Sequence, residues 1–208
     1  MPTLLMILLA AMAATQLPPP NLVENGDARA GAVHWTPSRG HEPLASDGAS
    51  DASVGTCDNG PCFVLRNGAG WNQVIRFRDD PAGRVLLILA RGATERIPEN
   101  GSITGRPYLW ARLRGVEPQQ GGVLQGMALR PSAPNAWGTL HGIFPVPRGA
   151  YGLHLMLGQA EGGGTPQNGS AAWIRDVEVR LFESREAAAA YVQFYEAQHR
   201  QDSGSTRR

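Results

Sequence analysis

The chain has no lysine: all 19 of its basic residues are arginine. Set against 18 Asp and Glu residues, they leave a formal net charge of +1. A balance this even gives no electrostatic case for nucleic acid, which needs a concentrated basic face. It gives no polybasic case for a membrane surface either. Cysteine is also scarce, with only Cys57 and Cys62. A structural zinc site needs about four ligands, and no further Cys or His stands near this pair. Catalytic signatures are missing as well. There is no Gly-x-Ser-x-Gly elbow, no His-Glu-x-x-His, no P-loop and no Rossmann glycine pattern between a strand and a helix. Carboxylates such as Asp79-Asp80 sit in turns, where solvation is their ordinary role. Glycoside hydrolysis needs two carboxyls facing each other across a cleft, and no such pair can be named.

What is present divides the chain into four parts. Residues 1–20 read as a signal peptide. Leu4 to Ala14 is an apolar run too short to span a bilayer, and Ala11-Met12-Ala13 gives the small-x-small pattern of a cleavage site. Residues 21–182 carry one sizeable core, residues 183–199 read as a helix, and residues 200–208 as a polar, disordered tail. The expected location is periplasmic or extracellular in a bacterium, with no integral membrane span after cleavage. In an exported chain, Cys57 and Cys62, separated by Asp-Asn-Gly-Pro, are expected to close a small disulfide loop.

The body reads as short strands and turns. Residues 37–60 lack periodicity and are expected to form a long loop, as are 91–106. Cys62 to Arg66 is one short run. From Trp71 to Arg78 the residues alternate, with Trp71, Gln73, Ile75 and Phe77 on one face. Val85 to Ala90 is continuously apolar, as in a strand covered on both sides. Tyr108 to Arg114 alternates again, with Leu109, Ala111 and Leu113 inward and Tyr108, Trp110, Arg112 and Arg114 outward. Residues 123–130, 138–144, 152–157 and 173–182 complete the set. The pattern predicts an all-β sandwich. The Ala- and Glu-rich segment from 183 predicts one helix, with Ser184 as N-cap and an apolar stripe of Ala188, Tyr191, Val192 and Tyr195.

Three phrases carry a resemblance. Asn21-Leu-Val-Glu-Asn-Gly-Asp27 opens the body. Trp137 to Tyr151 runs into Gly152-Leu-His-Leu-Met-Leu157, and Ala172-Trp-Ile-Arg-Asp-Val-Glu-Val179 closes it. In this order they resemble the opening, penultimate and closing strands of the galactose-binding-like jelly rolls, the fold of many carbohydrate-binding modules. The resemblance covers residues 21 to 182 and implies a jelly-roll β-sandwich. It also implies a structural calcium joining the opening phrase to the closing strand. Asp27 and Asp176 match the family's acidic positions. Two other expected acids are Arg29 and Arg175, so an Arg–Asp network in place of the ion is the alternative.

A sugar ring has an apolar C–H face that stacks on Trp or Tyr beside polar side chains. Two outward rows offer this: Tyr108, Trp110 and Arg112, and Trp137, Thr139 and His141. The same aromatics equally suit core filling and edge covering. His141 and His154 face each other only if residues 137–157 form a plain hairpin; a jelly roll separates them. The expected function is a non-catalytic exported domain that binds carbohydrate. The alternative is an envelope structural protein that docks a protein partner through the sandwich and the C-terminal helix.

Overall fold

The computed structural model describes residues 17–39, 42–43, 51–58, 60–97, 105–117, 122–128, 133–159 and 170–203. Its strands are β1 (Thr36–Arg39), β2 (Glu42–Pro43), β3 (Ala52–Cys57), β4 (Gly60–Leu65), β5 (Ala69–Arg76) and β6 (Val85–Thr94). They continue with β7 (Pro107–Arg114), β8 (Val123–Ala128), β9 (Gly138–Pro145), β10 (Gly152–Gln159) and β11 (Ala172–Phe182), followed by helix α1 (Arg185–Ser203). A six-stranded sheet has the order β2-β1-β5-β10-β7-β8, and a five-stranded sheet the order β3-β4-β11-β6-β9. All pairings are antiparallel. Successive strands β9 and β10 fall in different sheets, so the chain forms a jelly-roll sandwich rather than a meander.

The alternating strands behave as their patterns predict. In β5, Trp71, Gln73 and Ile75 are buried while Val74 is 52% exposed. In β7, Leu109, Ala111 and Leu113 are buried. Phe63 sits at the centre of the core, its ring centroid 4.9 Å from Trp35 and 6.0 Å from Trp71. The continuous run of β6 has the predicted double cover. Leu86, Ile88 and Ala90 enter the main core, whereas Leu87 and Leu89 pack under the helix against Phe182, Ala188, Val192 and Tyr195. Ser184 caps that helix by accepting from Ala187 N–H at 3.1 Å.

Two of the expected loops contain strands. Residues 37–60 hold most of β1, all of β2 and all of β3. These are edge or near-edge strands with few apolar residues, and their order comes from ladders to β5 and β4. Local periodicity does not register such non-local pairing. The loop predicted from residue 91 begins later, because β6 continues through Thr94. Arg91 interrupts the apolar run there, yet it is buried. The helix likewise continues past 199 to Ser203. Residues 1–16, which hold most of the predicted signal peptide, and 204–208 lie outside the described residues. Among the described residues, no helix is long and apolar enough to cross a membrane.

Cys57 and Cys62 are disulfide-bonded, their Cα atoms 5.9 Å apart. The bond closes the β3–β4 hairpin. The opening phrase docks on the closing strand. Leu22 N–H donates to the Val179 carbonyl at 2.8 Å, and Val177 N–H to the Gly26 carbonyl at 3.0 Å. Asn21 Oδ1 accepts from Val179 N–H at 2.9 Å. Gln73, buried in β5, holds the same segment from the other sheet by exchanging two bonds with the Glu24 backbone. Opening segment, closing strand and both sheets are thus locked at one point.

Candidate functional site

Antiparallel pairing sets the outer face of the six-stranded sheet. Directly opposed residues share a face. Opposite Trp110 in β7 stands Met156 in β10, and opposite Met156 stands Asn72 in β5. The next row is Arg112, His154 and Val74, and the one after it is Arg114, Gly152 and Arg76. Tyr108 and Trp110 are half-buried, while Arg76, Arg112 and Arg114 are exposed. The His154 ring meets Trp110 edge-on, with centroids 5.9 Å apart and planes at 87°. The Arg114 guanidinium lies 5.5 Å from the centre of the Tyr151 ring. Val74, Arg112, Arg114, Glu117, Tyr151 and His154 border an open depression of about 510 Å³. Partial removal of Tyr108 from water raises its phenol pKa above the ordinary value.

The second predicted row lies elsewhere. β9 belongs to the five-stranded sheet, so Trp137 and His141 stand on the opposite side of the molecule from Tyr108, Trp110 and Arg112. His141 and His154 are separated in the same way. Trp137 is stacked on Arg175, whose guanidinium carbon is 4.3 Å from the ring centre. Its remaining edge borders a small hollow of about 130 Å³ with Trp173, Thr56 and Asn135. His141 is exposed. Much of this outer face is covered by helix α1 and by a cross-linked polar set. In that set Glu178 accepts from Arg180 at 2.7 Å and from Tyr191 at 2.8 Å.

The calcium implied by the resemblance does not fit the residues present. Asp27 and Asp176 both border a depression beside the opening phrase. Each carboxylate, however, has an arginine partner. Asp27 pairs with Arg29 at 3.2 Å, and Asp176 with Arg175 at 3.4 Å. Among the described residues, no group of three or more His, Cys, Asp or Glu side chains is placed to hold a metal. A hard cation of this kind takes about six to eight oxygen ligands.

Comparison with solved structures identifies the architecture. A family 16 carbohydrate-binding module superimposes with a TM-score of 0.50 at 14% identity, over 76% of this chain and 99% of that one. The chain has the jelly-roll fold of the carbohydrate-binding modules. A Stig cyclase from Fischerella sp. TAU, solved with an indole compound, shares the fold more closely. Its TM-score is 0.55 at 9% identity, over 77% of this chain and 96% of that one. The enzymatically active domain of tailspike protein 4 of bacteriophage CBA120 matches with a TM-score of 0.49 at 19% identity. That match covers 78% of this jelly-roll chain but only 21% of the tailspike chain. No protein-family model matches the sequence, and no curated protein does. Binder and cyclase share one scaffold, so the ligand must be argued from the side chains.

Sequence reasoning placed Tyr108, Trp110 and Arg112 on one outward row. It missed Val74, Tyr151 and His154. Their contribution depends on β10 inserting between β5 and β7, a pairing without a local signal. Alternation within 152–157 was the one available cue, since it sets His154 and Met156 on one face.

Proposed function

We propose that the protein is a non-catalytic, exported carbohydrate-binding domain whose ligand lies across the outer face of β5, β10 and β7. One observation carries this reading. Trp110 of β7 is half-exposed on that face, held edge-on by His154 of β10, with Arg112 the next outward-facing residue along the strand. A ring so held offers a flat apolar surface for sugar C–H groups at little entropic cost, and the neighbouring Arg and His supply polar brackets. The fold is the one used by carbohydrate-binding modules. Export is supported by the apolar segment at residues 4–14 and by the disulfide.

The test is a glycan array of the protein beside Trp110→Ala. Retention of a glycan by the parent and its loss in the variant, with unchanged thermal stability, is the expected result. Absence of glycan binding altogether overturns the reading.

A second reading, a docking protein of the envelope, is favoured by Phe194. It is 56% exposed on helix α1 and touches the Tyr191 ring at 6.3 Å. In that case Phe194→Ser abolishes capture of a protein partner and Trp110→Ala does not.

A further inference from the structure

The near-zero net charge conceals a one-sided distribution. Strands β1, β5, β10, β7 and β8 contain Arg39, Arg76, Arg112, Arg114 and His154, and not one Asp or Glu. The sheet's single acid, Glu42, stands in the two-residue edge strand β2. The five-stranded sheet is different, because both of its acids stand beside arginines. Arg180 pairs with Glu178 at 2.7 Å, and Arg175 with Asp176 at 3.4 Å. At the edge of that sheet Arg84 pairs with Glu183 at 3.3 Å. Among the described residues, no carboxylate pairs with Arg76, Arg112 or Arg114. Among the described residues, Glu117, on the turn after β7, is the only acid bordering the depression there.

The positions of these cations describe the ligand. Arg112 and Arg114 are two residues apart on one strand, roughly 7 Å. Arg114 and Arg76 flank Gly152 on either side, two strand spacings or roughly 10 Å apart. Gly152 has no side chain to fill the gap, and a Cβ there would meet the Ile75 carbonyl oxygen at 2.6 Å. A single small anion is best held by donors converging on one point. Cations on β5 and β7, to either side of β10 and beside an aromatic platform, suit a ligand whose charge repeats along its length.

We propose that this face binds an acidic polysaccharide: Trp110 stacks on a sugar ring while Arg76, Arg112 and Arg114 receive carboxylates of neighbouring units. The inference rests on the carbohydrate-binding reading above and narrows it to polymers of uronic acids. The arginines of the face also raise the local concentration of such a polymer and make its binding salt-dependent.

The experiment is affinity electrophoresis of the protein through gels containing polygalacturonate, the same polymer fully methyl-esterified, a neutral xylan, or single-stranded DNA. Arg112→Gln/Arg114→Gln and Trp110→Ala run alongside. Both arginines are exposed, so the double variant keeps its fold, checked by its melting temperature. The expected result is retardation by polygalacturonate, at least tenfold weaker binding to the esterified form, and loss of retardation in both variants. Retardation by xylan or the ester equal to that by the acid overturns the acidic assignment and leaves sugar binding standing. No retardation by any polysaccharide sinks both. Equal retardation by single-stranded DNA, insensitive to Trp110→Ala, overturns the proposal in favour of a general polyanion surface.

Discussion

Tyr191 of the helix donates its phenol O–H to Glu178 of β11 at 2.8 Å, and Arg180 lies 5.0 Å from the centre of the same ring. This contact ties helix α1 to the five-stranded sheet beside the buried stripe of Ala188, Val192 and Tyr195. Desolvation first, and the bond to Glu178 second, push the Tyr191 phenol up from 10.0 to about 12. The folded state therefore holds this proton more tightly than the unfolded chain. Its stabilisation is fully present below pH 10 and is lost as the pH rises through about 12. Tyr195, buried beside it, is shifted in the same direction. Because the Tyr191 ring is only partly buried, solvent screening holds its share to about 1 kcal/mol. Tyr191→Phe is expected to cost about 1 kcal/mol at neutral pH and to flatten the loss of stability between pH 10 and 12. Urea unfolding across that range checks both.

Trp137→Ala is expected to destabilise the protein by about 2–4 kcal/mol. Arg175 is 5% exposed and stacks on that ring, with Arg91 on the same ring at 5.7 Å. Removing the indole leaves two buried guanidinium groups without it. Trp137→Phe keeps a ring face and is expected to cost about 1 kcal/mol. Denaturant midpoints measure the difference. Neither change alters glycan retention if the ligand lies on the other sheet, and loss of retention in a folded Trp137→Phe would move the site.

Gly26→Ala tests the lock between the opening phrase and the closing strand. An added Cβ would strike the Val177 carbonyl oxygen, which is backbone and cannot rotate away. Either the opening segment lifts off β11 or β11 bends at Asp176, which already has a positive φ of 52° beside a register shift. A loss of about 1–3 kcal/mol is expected. Faster hydrogen exchange at the Val177 and Val179 amides would localise it.

Reducing the disulfide between Cys57 and Cys62 is expected to cost about 2 kcal/mol, the loop-closure term for so short a ring. Calorimetry with and without reductant reads this as a drop of a few degrees in melting temperature. Because the bond closes a hairpin far from Trp110, glycan retention at room temperature is expected to persist.

The legible parts of this molecule were those written as local patterns. Alternation in 71–77 and 108–114 marked which side chains enter the core, since a strand's period of two is a property of the backbone alone. Ala188, Tyr191, Val192 and Tyr195 marked the buried stripe of the helix for the same reason at a period of 3.6. The opening and closing phrases marked the jelly roll. Strands β1 and β3 were illegible because they carry few apolar residues. Their order is supplied by partners 30 to 36 residues away for β1, and by a hairpin through a disulfide for β3.

By itself, then, the sequence determined the sandwich, the capped helix, the disulfide pairing and the outward row of Tyr108, Trp110 and Arg112. Tertiary structure alone decided which rows meet. It set Trp137 and His141 on the sheet opposite Trp110, stacked Arg175 on Trp137, and brought Val74, Tyr151 and His154 alongside Arg112 and Arg114. It also gathered Arg76, Arg112 and Arg114 onto one face of a nearly neutral chain. The reason is that strand order and register arise from the cooperative closure of two sheets around Phe63, and that closure follows the whole core rather than any one segment.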